Sequence, residues 1–312
     1  MRKFLLKSCG FLMVLFISAL GIFALADGHA DAFYLKFTSP KQHSLIIGSS
    51  RAAQGIQPRI CNALLPGVKL YNYAFSRIHT PYGEPYLLSI KRKLDPESHN
   101  GVFVLEVNPW TISDTREERT DGGYFRESES VLGKVKYVNM APNIPYLLYC
   151  YTGRNIELIT KKWPNYHGEN LEVRDDGWFE VALKDDQHRK EQRVKATLNS
   201  YREMREEYLG ASKRRLEYLK TIIEYLKRHG TVLLLRMPVD KAMREMEHEW
   251  MPNFDIKMEK LAKETRVEYW NAALQHQEYE YTDGHHLSIS SGEEFSKELA
   301  KFILQCLEQN KK

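Results

Sequence analysis

Five apolar runs punctuate an otherwise polar chain: "SLII" at 44–47, "VKLYNYAF" from Val68, "GVFVLEVNPW" from Gly101, "TVLLLRMP" from Thr231 and "RVEYWNAAL" from Arg266. Each is short, bounded by turn residues and continuous rather than alternating, the pattern of strands covered on both faces in a parallel sheet. Between the runs the apolar spacing becomes helical. Residues 53–65 link the first two runs, "TPYGEPYLLSIKRKL" the next two, and "PVDKAMREMEHEWMPNFDIKMEKLAKET" precedes the last. A final helix is predicted in "SGEEFSKELAKFILQCLEQNKK", with Ser290 or Ser291 as its cap and glutamates in its first turn. Strands alternating with helices predict an α/β fold, three layers (α/β/α) around a mostly parallel five-stranded sheet.

One interval breaks the alternation. Residues 111–230, after the third strand, read as a helical and irregular insertion. In "KRRLEYLKTIIEYLKRHG", Leu216, Leu219, Ile223 and Leu226 share one helical face and predict core packing, with the lysines and arginines on a solvated surface. "KKWPNYHGENLEVRDDGWFEV" is rich in Gly, Asn, Asp and aromatics and reads as irregular, placed to cover the strand ends as a partial lid. Its Trp163, Tyr166, Trp178 and Phe179 are of the kind that stack on sugar rings or anchor a loop to its domain. The chain shows neither an internal repeat nor a low-complexity segment.

The N-terminus stands apart. Arg2, Lys3 and Lys7 flank an uncharged apolar run from Cys9 to Ala26. A positive flank before such a run is an export signal. Ala24-Leu25-Ala26 has the small-x-small form that signal peptidase accepts, which sets cleavage before Asp27 against retention as a membrane anchor. The boundaries expected are residues 1–26 for the signal peptide or anchor and 30–312 for one folded domain. The basic flank should stay in the cytoplasm, with the remainder outside the inner membrane, in the periplasm or cell envelope.

The 312 residues carry a net charge of only +4 with 28% charged residues, too small and scattered an excess to imply nucleic acid as a partner. Cys61, Cys150 and Cys306 remain outside the targeting segment, widely spaced; one bridge is compatible with them, and the spacing does not say which.

Two short stretches carry chemistry. The first strand runs into Gly48-Ser49-Ser50-Arg51, and near the other end stands "YTDGHHLSISSGEEF". A serine hydroxyl is a weak nucleophile until an imidazole takes its proton, and the imidazole needs a carboxylate to hold its tautomer. Asp283 and His286, three apart, supply both from one loop. In a parallel sheet the loops at the carboxyl ends of strands converge on one crevice, so Ser50 can meet them there. Asn108, after the middle strand, is placed to donate to a developing oxyanion, with backbone N–H groups of Ser50 and of the loop near Ser76 and Arg77. His285 rivals His286. Arg51 is expected either to bind an anionic substrate group or to pair with a carboxylate. "DGHH", with His248 and Glu249, also suggests metal ligands, but lacks a clear third and fourth ligand, so no metal and no cofactor is expected.

This constellation resembles the SGNH (GDSL-like) hydrolase superfamily, whose blocks appear in order across nearly the whole exported region. The first block, Gly-Asp-Ser in the family, stands here as Gly48-Ser49-Ser50, which puts the nucleophile at Ser50. The second block's glycine falls on about Arg77, so its backbone N–H would line the oxyanion hole. The third, Gly-x-Asn-Asp, stands as Glu106-Val107-Asn108-Pro109; the fifth, Asp-x-x-His, is complete as Asp283-Gly284-His285-His286. The resemblance implies a flavodoxin-like fold and an esterase acting on acyl, above all O-acetyl, groups of a carbohydrate through an acyl-enzyme. It equally admits an O-acetyltransferase of envelope polysaccharide served by a membrane acyl-donor protein, or a silent glycan-binding scaffold of the same fold.

Overall fold

A computed structural model of the chain describes residues 1–29, 31–120, 123–160, 170–183, 187–274 and 278–309. Nine strands are present among these: β1 (Ser44–Ile47), β2 (Leu70–Asn72), β3 (Gly101–Glu106), β4 (Ser113–Thr115), β5 (Asn170–Val173), β6 (Phe179–Ala182), β7 (Tyr208–Ala211), β8 (Gly230–Arg236) and β9 (Glu268–Asn271). The five apolar runs form the central sheet in the order β2-β1-β3-β8-β9. Every pairing in it is parallel, with Ser44 opposite Leu70, Leu45 opposite Phe103, Gly101 opposite Gly230 and Leu233 opposite Glu268. The order reverses at β1, whose two neighbours are β2 and β3. A crevice opens at such a reversal, beyond the carboxyl ends of the strands.

Side chains alternate between two cores, as the period of two demands. Leu45, Ile47, Phe103 and Leu105 pack on one face against helices Glu84–Lys93, Lys213–Lys227 and Phe254–Thr265. Ile46, Val104 and Leu235 pack on the other against Ser50–Gly55, Pro58–Leu64 and Ile289–Gln309. Full burial of each such side chain is worth about 1.5–3 kcal/mol, enough to settle which face each residue takes. The fold is α/β with helices on both faces of a parallel sheet.

Three local expectations are corrected. The last helix begins at Ile289, and its cap is Ser288, whose Oγ accepts the Ser291 N–H at 3.2 Å; the Ser291 hydroxyl instead accepts the Glu280 N–H at 2.8 Å. In helix Lys213–Lys227, Leu219, Ile223 and Leu226 are buried and Leu216 packs at the edge, but the basic residues are not all solvated. Arg215 is fully buried, its Nε 2.9 Å from Asp114 Oδ1 and its two terminal nitrogens on Glu127 and Glu118. An arginine this deep is retained because three carboxylates receive its donors. The segment between β3 and β8 is also more regular than its composition suggested. β4 pairs antiparallel with β7, and β5 with β6, Asn170 lying opposite Ala182.

The hairpin of β5 and β6 lies against the helix that follows β1, where Trp178 Nε1 donates to the Gln54 carbonyl at 2.7 Å. Trp178 thus anchors the hairpin; Trp163 and Tyr166 lie outside the described residues. Helix Gln187–Glu207 is polar and buries only Tyr201 among its described residues. All four cysteines are free thiols. Helix Arg2–Phe23 is long and apolar enough to cross a membrane and has no buried residue, as suits a signal peptide or an anchor. The end of this helix already touches the domain, Phe23 and Ala26 packing on the first core, and the Gly28 carbonyl accepts the Val173 N–H at 3.1 Å.

Candidate active site

The turn after β1 explains why two serines stand there. Gly48 has φ of 154°, and a Cβ on it would come within 2.5 Å of Glu106 Cβ, so the strand end needs glycine to pass the end of β3. Ser49 is spent on structure. Its N–H donates to Glu106 Oε2 at 2.7 Å, and its Oγ caps the helix by accepting the Arg51 N–H at 3.4 Å. Ser50 is the first residue of that helix, and its hydroxyl faces the crevice.

From the opposite end of the chain, a tight loop brings Asp283 and His286 to the same place. Gly284 supplies a φ of 93° that other residues rarely adopt, and the Thr282 N–H closes the loop on the His286 carbonyl at 2.9 Å. His286 Nε2 lies 2.8 Å from Ser50 Oγ, and His286 Nδ1 lies 2.8 Å from Asp283 Oδ2. The other Asp283 oxygen accepts the backbone N–H groups of His285 at 3.2 Å and His286 at 3.0 Å. Burial on its own would raise the Asp283 carboxyl; the facing His286 and the adjacent His285 outweigh it and hold the group far below the usual carboxylate range. With Asp283 ionised, the proton of His286 sits on Nδ1, leaving Nε2 to accept from Ser50.

His285 is not an alternative base at this site. It is buried against the Tyr201 ring, centroids 5.1 Å apart, and burial with the neighbouring His286 lowers its pKa to about 3. Its Nδ1 lies 3.2 Å from Asp283 Oδ1 but without hydrogen-bond alignment. Asp283, His285 and His286 stand close enough together to suggest a metal. Both ring nitrogens of His286 are already engaged, and no fourth candidate ligand joins them among the described residues. His248 and Glu249 are exposed on helix Lys241–Trp250, where Glu249 faces Arg205 at 3.6 Å.

Two expected site residues are placed elsewhere. Asn108 is 2% exposed and does not line the crevice. Its Oδ1 accepts the Trp110 and Thr111 N–H groups at 3.0 and 3.2 Å; its Nδ2 donates to Glu106 Oε1 at 2.7 Å and Ser49 Oγ at 3.2 Å. The Glu106 carboxylate thus claims the Asn108 amide, which is not offered to the crevice. Arg51 is likewise turned inward, 2% exposed, its Nη2 2.5 Å from Glu247 Oε1, so it offers no charge to a substrate. Glu247 also accepts from Trp110 Nε1 at 3.0 Å and faces Arg236 at 3.3 Å. Nothing local in the sequence announces this network, because Arg51 and Glu247 are 196 positions apart.

The crevice is a cavity of about 510 Å³ lined by Ser50, Asp283 and His286 together with Phe75, Arg77 and Tyr201. Phe179 also lines it, while packing against the second core. Arg77 reaches it with its side chain, the guanidinium carbon 4.9 Å from the Tyr201 ring centroid. The N–H groups of Ser50 and Arg77 make no hydrogen bond among the described residues. Ser50 opens its helix, whose first N–H groups are left without helical partners, whereas Arg77 lies in a turn after β2. Sequence reasoning missed Glu106, Glu247 and Tyr201. Only Tyr201 had a faint signal, as an isolated aromatic in a very polar helix.

No protein-family model matches the chain, and no curated protein matches it. Among solved structures, that of Est24, a carbohydrate acetylesterase from Sinorhizobium meliloti, aligns over 85% of this chain and 100% of that one, with 11% identity and a TM-score of 0.41.

Proposed function

We propose that the chain is a serine esterase of the SGNH type, with Ser50 as nucleophile, His286 as general base and Asp283 as its orienting carboxylate. The observation that carries this is the unbroken run of two 2.8 Å contacts, from Ser50 Oγ to His286 Nε2 and from His286 Nδ1 to Asp283 Oδ2, at the rim of one cavity. Nε2 takes the Ser50 proton as Oγ attacks an ester carbonyl, and the backbone N–H groups of Ser50 and Arg77 receive the oxyanion. His286 returns the proton to the leaving alcohol, and water then releases the acyl group by the same relay. An O-acylated carbohydrate as the ester's carrier is what the resemblance of the Gly48-Ser49-Ser50 and Asp283–His286 blocks to that superfamily implies.

The apolar helix Arg2–Phe23 supports export, with the domain beginning near Gly28 outside the inner membrane. If that helix is retained, it tethers the domain to a membrane, where a sugar hydroxyl in place of water would make the same acyl-enzyme an O-acyltransferase fed by a membrane acyl donor. Hydrolysis of an aryl acetate by the full-length chain in detergent, compared with Ser50→Ala and Ser49→Ala, tests the assignment. Turnover should vanish in Ser50→Ala and survive in Ser49→Ala. Equal activity in wild type and Ser50→Ala would overturn it.

A further inference from the structure

With Arg51 sealed against Glu247, the cationic side chain facing the cavity is Arg77. Among the described lining residues it is the one lysine or arginine, and the one carboxylate, Asp283, is already held by three N–H donors. The Arg77 guanidinium makes no ion pair and no hydrogen bond among the described residues. It is held instead by stacking on Tyr201, which is itself fixed edge-on to Trp110 at 4.8 Å and to His285 at 5.1 Å. A cation seated on an aromatic face keeps its N–H edge free, and a guanidinium edge matches the two oxygens of a carboxylate or a phosphate. The surrounding wall carries Phe33, Phe75, Phe179 and the exposed Ile78, which offer an anion no competing cation and leave the guanidinium as its partner.

From this placement we infer that Arg77 selects esters whose carrier is anionic, an acylated saccharide bearing a carboxylate or phosphate beside the acyl group. The inference rests on the esterase reading for which bond is cut, but not for what is bound. A compact cavity of 510 Å³ is only about 10 Å across, so the charged group and the ester sit on the same or adjacent sugar units. A neutral acylated glycan fills the same apolar wall and leaves the guanidinium without a partner.

The test compares full-length chain in detergent on acetylated oligogalacturonide, acetylated poly(glycerol phosphate) and acetylated xylo-oligosaccharide, matched in acetyl content. Wild type should favour one of the two anionic carriers over the neutral one by kcat/KM, and which one identifies the anion. In Arg77→Gln that preference should fall about ten- to hundredfold, chiefly through KM, with part of it restored in Arg77→Lys. An unchanged preference overturns the inference. So does an equal loss on all three carriers, because it places the residue's effect on the oxyanion loop. If wild type cleaves none of them, the esterase reading is still decided by the aryl acetate assay and not by these carriers. Equilibrium binding of the two anionic oligomers then decides: retention by wild type with loss in Arg77→Gln supports selection by Arg77, and no binding, or binding indifferent to the substitution, overturns it.

Discussion

Replacing Asp283 by asparagine changes one atom and should disable the relay. Asp283 accepts three N–H groups, two from the backbone at 3.2 and 3.0 Å and one from His286 Nδ1 at 2.8 Å. In Asp283→Asn the amide oxygen keeps the backbone donors, so the amide nitrogen is turned toward His286. Nδ1 must then accept, the proton moves to Nε2, and Nε2 presents a donor to a hydroxyl that needs an acceptor. A relay held in the wrong tautomer loses about 10⁴ in rate, or about 5.4 kcal/mol of barrier, whereas one hydrogen bond weakened in the fold costs about 1 kcal/mol. The assay is kcat/KM on an aryl acetate beside a urea melt of the same sample. A loss under tenfold, in a variant that melts within about 1 kcal/mol of wild type, would refute the reasoning. The folded pKa of Asp283 is depressed, so its contribution to stability is complete above the unfolded value near 3.9 and is lost as pH falls below it. Asp283→Asn should therefore also flatten the acid side of the stability curve.

Three further outcomes follow from the same contacts. His285, with its folded pKa lowered to about 3, is neutral in the fold, so its contribution is complete above about pH 6.5 and lost as pH falls toward 3, by up to about 1.4 kcal/mol per unit; His285→Phe should lessen that slope in denaturant melts between pH 6.5 and 4. Arg51→Met leaves Glu247 buried with a partner missing and should cost about 3–5 kcal/mol, while Arg51→Met with Glu247→Leu should recover much of it, since Arg236 keeps Asp255 at 2.6 Å; no recovery in a chemical melt contradicts the pairing. Asn108→Ala should lower stability by about 1–2 kcal/mol through the lost cap and lower kcat less than tenfold, whereas a hundredfold loss of kcat in a stable variant would return Asn108 to the oxyanion.

The central sheet was legible because β1, β2, β3 and most of β8 are buried on both faces, which leaves uninterrupted apolar runs in a polar chain, while the edge strand β9 is only half-buried and shows through its aromatic pair Tyr269 and Trp270. That Ser50, Asp283 and His286 meet was legible for a related reason: Ser50 follows β1 at its carboxyl end and the Asp283–His286 loop comes after β9, and a parallel sheet gathers such loops on one side. What stayed hidden depends on partners far apart in sequence. Arg215 looks like a surface arginine until Asp114, 101 positions earlier, is folded beneath it. Arg51 looks like an anion-binding residue until Glu247 covers it, and Asn108 looks like an oxyanion donor until Glu106, two residues before it, takes its amide. The β4–β7 and β5–β6 pairs escaped notice because these strands are short and carry no apolar run, β4 being buried but polar (Ser113, Asp114) and β6 and β7 largely half-buried. Arg77 was placed by its backbone alone; that its guanidinium enters the cavity depends on Tyr201, a helix more than 100 residues away.

The most direct test of the account is where a fluorophosphonate attaches. Peptide mass spectrometry of the labelled full-length chain should find the adduct on Ser50, absent from Ser50→Ala and greatly slowed in a His286→Ala variant. An adduct on Ser49 or Ser76, or a folded wild-type chain that takes up no label while a control serine esterase does, would contradict the assignment of Ser50 as the nucleophile.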